Sequence, residues 1–195
     1  MEALPLGLTQ GDLEAFMREA LAEANAAGVA GEFPVGAILV VDGRVVSRGR
    51  ARRREKRSEL AHAELEALLG GGEALYTGHD RAMIVTTLEP CPMCLGAVVM
   101  ADVPHIVFAA HDALVQSAQT IESNPYVRRH VESYLGGVPE HESRVLMGRY
   151  APKLLDVVTN GHVASPAKIE PFIASFKTMV PQAGLLADRI DGFLR

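Results

Sequence analysis

The sequence predicts an α/β protein: a three-layer α/β/α sandwich with helices on both faces of one sheet, followed by a C-terminal extension. Three observations predict it. The elements alternate as helix, hairpin, helix, strand, helix, strand, an order that places helices over a sheet. The apolar runs 35–41, 82–87 and 105–110 have the length of buried strands. The chain has 195 residues, enough for one domain with a sizeable core and a small appendage.

The first element is a helix over 12–27. Leu13, Phe16, Met17, Ala20, Leu21 and Ala24 recur at the spacing of one helix face. Asp12 is read as its cap and Gly28 as its end. The run 35–41 is a buried strand, Asp42-Gly43 is a two-residue hairpin signal, and 44–49 is the returning strand. The basic run 50–57 reads as a loop. A short helix over 61–69 is expected to stop at Gly70, Gly71 and Gly72. Strand 82–87 follows, then a helix over 92–101 with Pro92 in its first turn, where proline is tolerated. Strand 105–110 comes next, and a helix over 140–150 follows the Gly136-Gly137 turn. From Asp156 the texture changes, with Asn160-Gly161, Pro166, Pro171 and Pro181 punctuating short apolar pieces. The expected organisation is a catalytic domain over 1–155. Over 156–195 an extension of short helices would pack on that domain or on a partner subunit.

Composition narrows the function classes. Hydrophobic residues make up 48% and charged residues 22%, ordinary values for a water-soluble globular chain. No apolar run has the length of a membrane span, and the start Met-Glu-Ala-Leu-Pro carries an acid where a secretory leader carries positive charge. The expectation is a cytoplasmic protein with no membrane partner. Net charge is −5, which argues against a nucleic-acid partner. The exception is local: residues 50–57 hold six basic residues and one acid. That run is read as a solvated loop, with a phosphate contact as the alternative.

Two stretches carry chemistry. One is His62-Ala63-Glu64; the other is Pro90-Cys91-Pro92-Met93-Cys94. The chain has only two cysteines, and their spacing suits a metal or redox pair better than a framework disulfide. A histidine and two thiolates are good zinc ligands, and three protein ligands leave a fourth position for water. Zinc brings the pKa of bound water from about 15.7 to about 7. Glu64, two residues from the histidine, is placed to carry protons without binding the metal. Cys91 and Cys94 fall at a helix start, where the dipole favours thiolates. Taken singly, His62 would be a structural histidine and Glu64 a solvated acid. In this order they form the pattern of the zinc-dependent deaminases.

The chain resembles the cytidine and deoxycytidylate deaminase superfamily, in the branch holding bacterial tRNA adenosine deaminases, guanine deaminases and yeast-type cytosine deaminases. The resemblance covers roughly 12–155. It rests on Phe33-Pro34-Val35-Gly36-Ala37, on Thr87-Leu88-Glu89-Pro90-Cys91-Pro92-Met93-Cys94-Leu95-Gly96-Ala97, on Val107-Phe108-Ala109-Ala110, and on Gly136-Gly137-Val138 with the helix after it. It implies zinc on His62, Cys91 and Cys94, Glu64 as proton shuttle, and a homodimer, in some members with the partner completing the site. One departure stands out. The branch carries Gly-x-Asn at the end of the second strand, and its asparagine bonds the substrate. Here the stretch is Gly49-Arg50-Ala51. Arg50 or another residue of the basic run is expected to take over that contact, with Phe33, Val35, Ala51 and Asp112 as the other candidate substrate neighbours.

Three functions compete. The first is a zinc-dependent hydrolytic deaminase of a small nucleobase, nucleoside or related amino-heterocycle, using water and releasing ammonia. The second is a tRNA-specific adenosine deaminase making inosine. The third is a catalytically silent zinc-binding interaction module. Overall acidity and Ala51 favour the small substrate over tRNA. The intact ligand set and Glu64 disfavour the silent module.

Overall fold

A computed structural model describes residues 4–161. One mixed sheet positions the site. Its strands are β1 (Gly36–Val41), β2 (Arg44–Arg50), β3 (Ala82–Leu88), β4 (His105–Ala110) and β5 (Ser133–Leu135), in spatial order β2-β1-β3-β4-β5. β1 runs antiparallel to β2 and β3, whereas β3, β4 and β5 are parallel. The helices are α1 (Gln10–Val29), α2 (Arg53–Lys56), α3 (Ala63–Gly78), α4 (Pro92–Met100), α5 (Ser117–Ser123), α6 (Pro125–His130), α7 (Glu140–Tyr150) and α8 (Pro152–Asn160).

The period of two along a strand divides the core between the two faces. Ile38, Val40, Met83, Val85, Val107 and Ala109 meet Leu13, Met17, Ala20 and Leu21 of α1. Ala37, Leu39, Ile84, Ile106 and Phe108 meet Ala63, Ala67 and Leu68 of α3 and Leu95, Val98 and Val99 of α4. Strands β1, β3 and β4 are buried on both sides, which is why they read as continuous apolar runs. Each fully buried leucine or isoleucine there contributes about 1.5–3 kcal/mol. The Asp42-Gly43 turn has φ of 50° and 70°, the two left-handed residues a tight hairpin needs.

Several expectations change. Helix α1 is capped by Thr9, not Asp12. The Thr9 hydroxyl accepts from the Asp12 amide at 3.2 Å, and the Asp12 carboxylate accepts from the Thr9 amide at 2.9 Å. Helix α3 does not stop at the three glycines but runs to Gly78, broken at Gly72 with φ 49° and ψ −130°. The basic run is not wholly loop, since Arg53–Lys56 forms a helical turn. Helices α5 and α6 and strand β5 occupy a stretch with no expected element. Helix α8 crosses residue 155, and its Val158 is buried with Ala110 and Met147. Of the expected 156–195 extension, 162–195 lie outside the described residues. No helix among the described residues is long and apolar enough to cross a membrane.

Candidate metal centre and substrate cavity

Two helix starts converge beyond the C-terminal end of β3. His62 is the residue before α3, in extended backbone, and Glu64 lies in that helix's first turn. Cys91 precedes α4, Pro92 opens it without a missing donor, and Cys94 follows one turn on. The segment between β3 and α4 is short. The Glu89 amide bonds the Ala110 carbonyl at 2.8 Å, which fixes where Cys91 emerges.

The ligand atoms of His62, Cys91 and Cys94 all lie within 4.8 Å of one another. The His62 Nδ1 is 3.7 Å from the Cys91 sulfur and 3.5 Å from the Cys94 sulfur. Zn–S and Zn–N bonds of ordinary length at a tetrahedral angle give S···N edges of about 3.6 Å. The donor set therefore fits zinc in chemistry and in spacing. A hydrogen bond from Cys94, with help from His62 and against the cost of burial, pulls the Cys91 thiol down to about 4. That same hydrogen bond, and then burial, pushes the Cys94 thiol up. The hydrogen bond to Cys91 raises His62, against desolvation.

Glu64 is 3% exposed. One of its oxygens accepts from the Thr86 hydroxyl at 3.2 Å, and the other accepts from the Cys94 thiol at 3.4 Å. Burial pushes its carboxyl above the usual carboxylate range. Burial therefore favours its protonated form, and its two hydrogen bonds fix it beside the candidate metal ligands.

A cavity of about 180 Å³ opens in front of Glu64. Phe33, Val35, Ala51 and Asp112 line it, as expected from the sequence. Arg50 does not. Side chains alternate at the strand end, so with Ala51 facing the cavity, Arg50 points to the opposite side and pairs with Glu23 of α1 at 3.6 Å. Of the basic run it is Arg53 that reaches the wall, and Ala63, Leu88, Glu89 and Leu154 complete it without having been singled out as cavity neighbours from the sequence. Glu89 is buried, and its carboxylate accepts from the Asp112 amide at 2.9 Å, the Ser117 amide at 3.0 Å and the Tyr134 hydroxyl at 2.8 Å. It ties the segment carrying Asp112 to the cysteine loop. An acid inside Leu-Glu-Pro-Cys was the available signal. Burial raises the Asp112 carboxyl. A second, larger groove of about 890 Å³ shares Phe33, Arg53 and Leu154 with the cavity and is lined beyond them by Arg54, Arg57 and Lys153.

Comparison with known proteins adds three findings. The profile described as the cytidine and deoxycytidylate deaminase zinc-binding region matches residues 10–110. A tRNA-specific adenosine deaminase of Bacillus subtilis (strain 168) is 35% identical over 150 residues, spanning 75% of this chain and 92% of that protein; one from Agrobacterium fabrum (strain C58 / ATCC 33970) is 36% identical over 147 residues, spanning 72% and 95%. A solved structure from a study of A-to-I editing by tRNA:A34 deaminases superposes with a TM-score of 0.61 at 35% identity, over 68% of this chain and 98% of that one.

Proposed function

The chain belongs to the cytidine and deoxycytidylate deaminase family, and from that premise we propose that this hydrolytic deaminase acts on an adenosine of tRNA, converting it to inosine with release of ammonia. The observation that carries the reading is the pairing of two spaces. The inner cavity, about 180 Å³, is smaller than the roughly 300 Å³ at which drug-sized pockets begin, so it suits one nucleobase. The groove it opens into is lined by Arg53, Arg54, Arg57 and Lys153, which suits a sugar–phosphate chain. An enzyme working on a base within RNA must take that base out of its stack and leave the backbone outside the pocket. The likeness to tRNA-specific adenosine deaminases over nearly their full length supports the same substrate.

This reading replaces the preference for a small substrate drawn from overall acidity. Charges separated by more than about 8–10 Å are largely screened at physiological salt, so the groove's own arginines matter more than a net −5 spread over the surface.

His62, Cys91 and Cys94 would hold zinc, which would supply the activation of the attacking water. The chain's own residues do the rest. Glu64 takes a proton from the attacking water and delivers it to the ring nitrogen beside the reacting carbon. It then carries the second proton to the leaving amine, so that water adds and ammonia departs. Thr86 holds Glu64 by its other oxygen, and Phe33 and Val35 exclude water from the ring. Exposed apolar Leu69 and Tyr76 on α3 and Met100 on α4 support the homodimer that belongs to this proposal, as does a cytoplasmic location.

A second reading, a free nucleobase or nucleoside as substrate, is favoured by Ala51, which puts no hydrogen-bonding side chain into the cavity. Inosine formation in an anticodon stem-loop with adenosine at position 34, assayed beside ammonia release from a panel of free bases and nucleosides, decides between them. We expect inosine formation that weakens steeply as salt rises. Ammonia from the free panel with no inosine in the RNA establishes the second reading instead.

A further inference from the structure

Ala51 leaves the cavity wall without a donor, and Arg53, two residues on, borders both the cavity and the groove. Its side chain is held at two places and leaves one donor unpaired. The guanidinium lies 5.0 Å from the centre of the Phe33 ring. One terminal nitrogen pairs with Glu59. The Nε is buried with no hydrogen-bond partner among the described residues. A buried donor without a partner costs free energy until an acceptor reaches it.

Its neighbours are fixed from below. Glu32 is 7% exposed. Its carboxylate accepts from the Arg54 amide at 2.9 and 3.1 Å and from the Glu55 amide at 2.8 Å. These bonds commit the Glu32 carboxylate to the backbone and lock the turn Arg53–Lys56. Arg54 and Arg57, which also line the groove, have no carboxylate partner among the described residues. Glu59 is the one other acid of that wall, and it is committed to Arg53.

Resting on the RNA reading above, we propose that Arg53 contacts the backbone of the flipped nucleotide at the cavity mouth, and that Arg53, Arg54 and Arg57, oriented by Glu32, form a phosphate subsite. A guanidinium donates only, in a planar fork that matches two phosphate oxygens. The ligand must therefore present acceptor oxygens where the base-sized cavity ends, and in a nucleotide those belong to the sugar–phosphate. The substrate is then chosen by its phosphates as well as by its ring.

The test uses the full-length zinc-loaded protein. Its probes are a labelled anticodon stem-loop carrying inosine, adenosine monophosphate and free adenine. Binding is followed by anisotropy and competition across a salt series, with KM and kcat for inosine formation in parallel. Arg53→Ala should raise the stem-loop KM at least ten-fold, and Arg53→Lys should restore part of it, keeping charge without the fork. Arg54→Ala and Arg57→Ala should each lower the salt slope of binding by about one. Glu32→Gln should weaken binding in the same direction with zinc retained. If inosine is still formed and neither KM nor slope moves in Arg53→Ala, the subsite is overturned and the RNA reading stands. If the monophosphate binds through Arg53 while the stem-loop is not a substrate, the subsite stands and the RNA reading falls. Arg53→Ala losses equal for free adenine and for the stem-loop would assign Arg53 to the ring and overturn the subsite.

Discussion

At the scale of single residues, the proposed chemistry rests on one carboxylate held away from water. Glu64 sits between the Thr86 hydroxyl and the Cys94 thiol, and burial raises its proton affinity. A proton carrier works best when its pKa lies near the working pH. The Glu64→Gln variant keeps the shape and can still accept from the Thr86 hydroxyl, but it cannot carry a proton. Turnover should fall about 10²–10⁴-fold with zinc near one per chain, read by metal analysis beside the rate. Cys91→Ala should lose the metal as well as the rate, because two donors hold zinc poorly. A Glu64→Gln variant as fast as the parent would remove Glu64 from the proposed shuttle. His62, Glu64, Cys91 and Cys94 stood out as candidates from their order and spacing, because ligand chemistry at helix starts is local, and the fold brings the three ligand atoms within 4.8 Å of one another. Glu89 did not, because an isolated acid has many roles and only its neighbours select one; the basic run was singled out, but not which of its arginines reaches the cavity.

At the scale of elements, the active geometry is set by how closely α3 lies on β2. A Cβ at Gly49 would fall 2.1 Å from the Ala63 carbonyl oxygen and 2.5 Å from the Ala67 amide nitrogen. The backbone of the α3 first turn, between His62 and Ala67, thus touches the strand directly. Gly49→Ala should cost about 1–3 kcal/mol of stability by overpacking. It should also shift His62 and Glu64 enough to lower kcat, an effect thermal melts and zinc-normalised rates would separate. Unchanged rate with full stability would mean that the helix start tolerates displacement. The same close packing explains the misread helix end. A Cβ at Gly71 would fall 2.5 Å from a Leu39 methyl, so that glycine lets α3 lie against β1 and does not end it. Local rules treat glycine as a stop; here tertiary contact outweighs them.

At the scale of the whole molecule, the metal centre joins two parts of the chain that share one sheet. Its candidate ligands at 62, 91 and 94 tie the start of α3 to the start of α4 across β3. The two main apolar clusters contain none of the three. Removing the metal should therefore loosen the fold without abolishing it. Ligand binding at a hundred times its dissociation constant stabilises by about 2.7 kcal/mol. At roughly 2–4 °C per kcal/mol for a domain of this size, chelation should lower Tm by about 5–10 °C. The far-UV spectrum at 25 °C should persist, and added zinc should reverse the shift. A Tm indifferent to chelator would mean that the three residues do not hold the metal in the folded protein.

By itself the sequence determined the strand and helix periods, the sandwich class, the zinc-binding pattern and Glu64, because each is written in residues a few positions apart. Residues 111–139 escaped it, since α5, α6 and β5 are short pieces whose apolar residues, such as Ile121 and Tyr134, find their partners on α4 and β4 and not along their own segment. The candidate substrate cavity belongs to tertiary structure for the same reason. Phe33, Ala51, Asp112 and Leu154 come from four separate stretches of the chain and become one wall only after the sheet has formed. Only the fold decided that Arg50 faces Glu23 while Arg53 faces the cavity, and that three arginines of an acidic chain gather beside a base-sized pocket. Net charge sums over the surface, whereas a phosphate feels the few side chains within a Debye length of it.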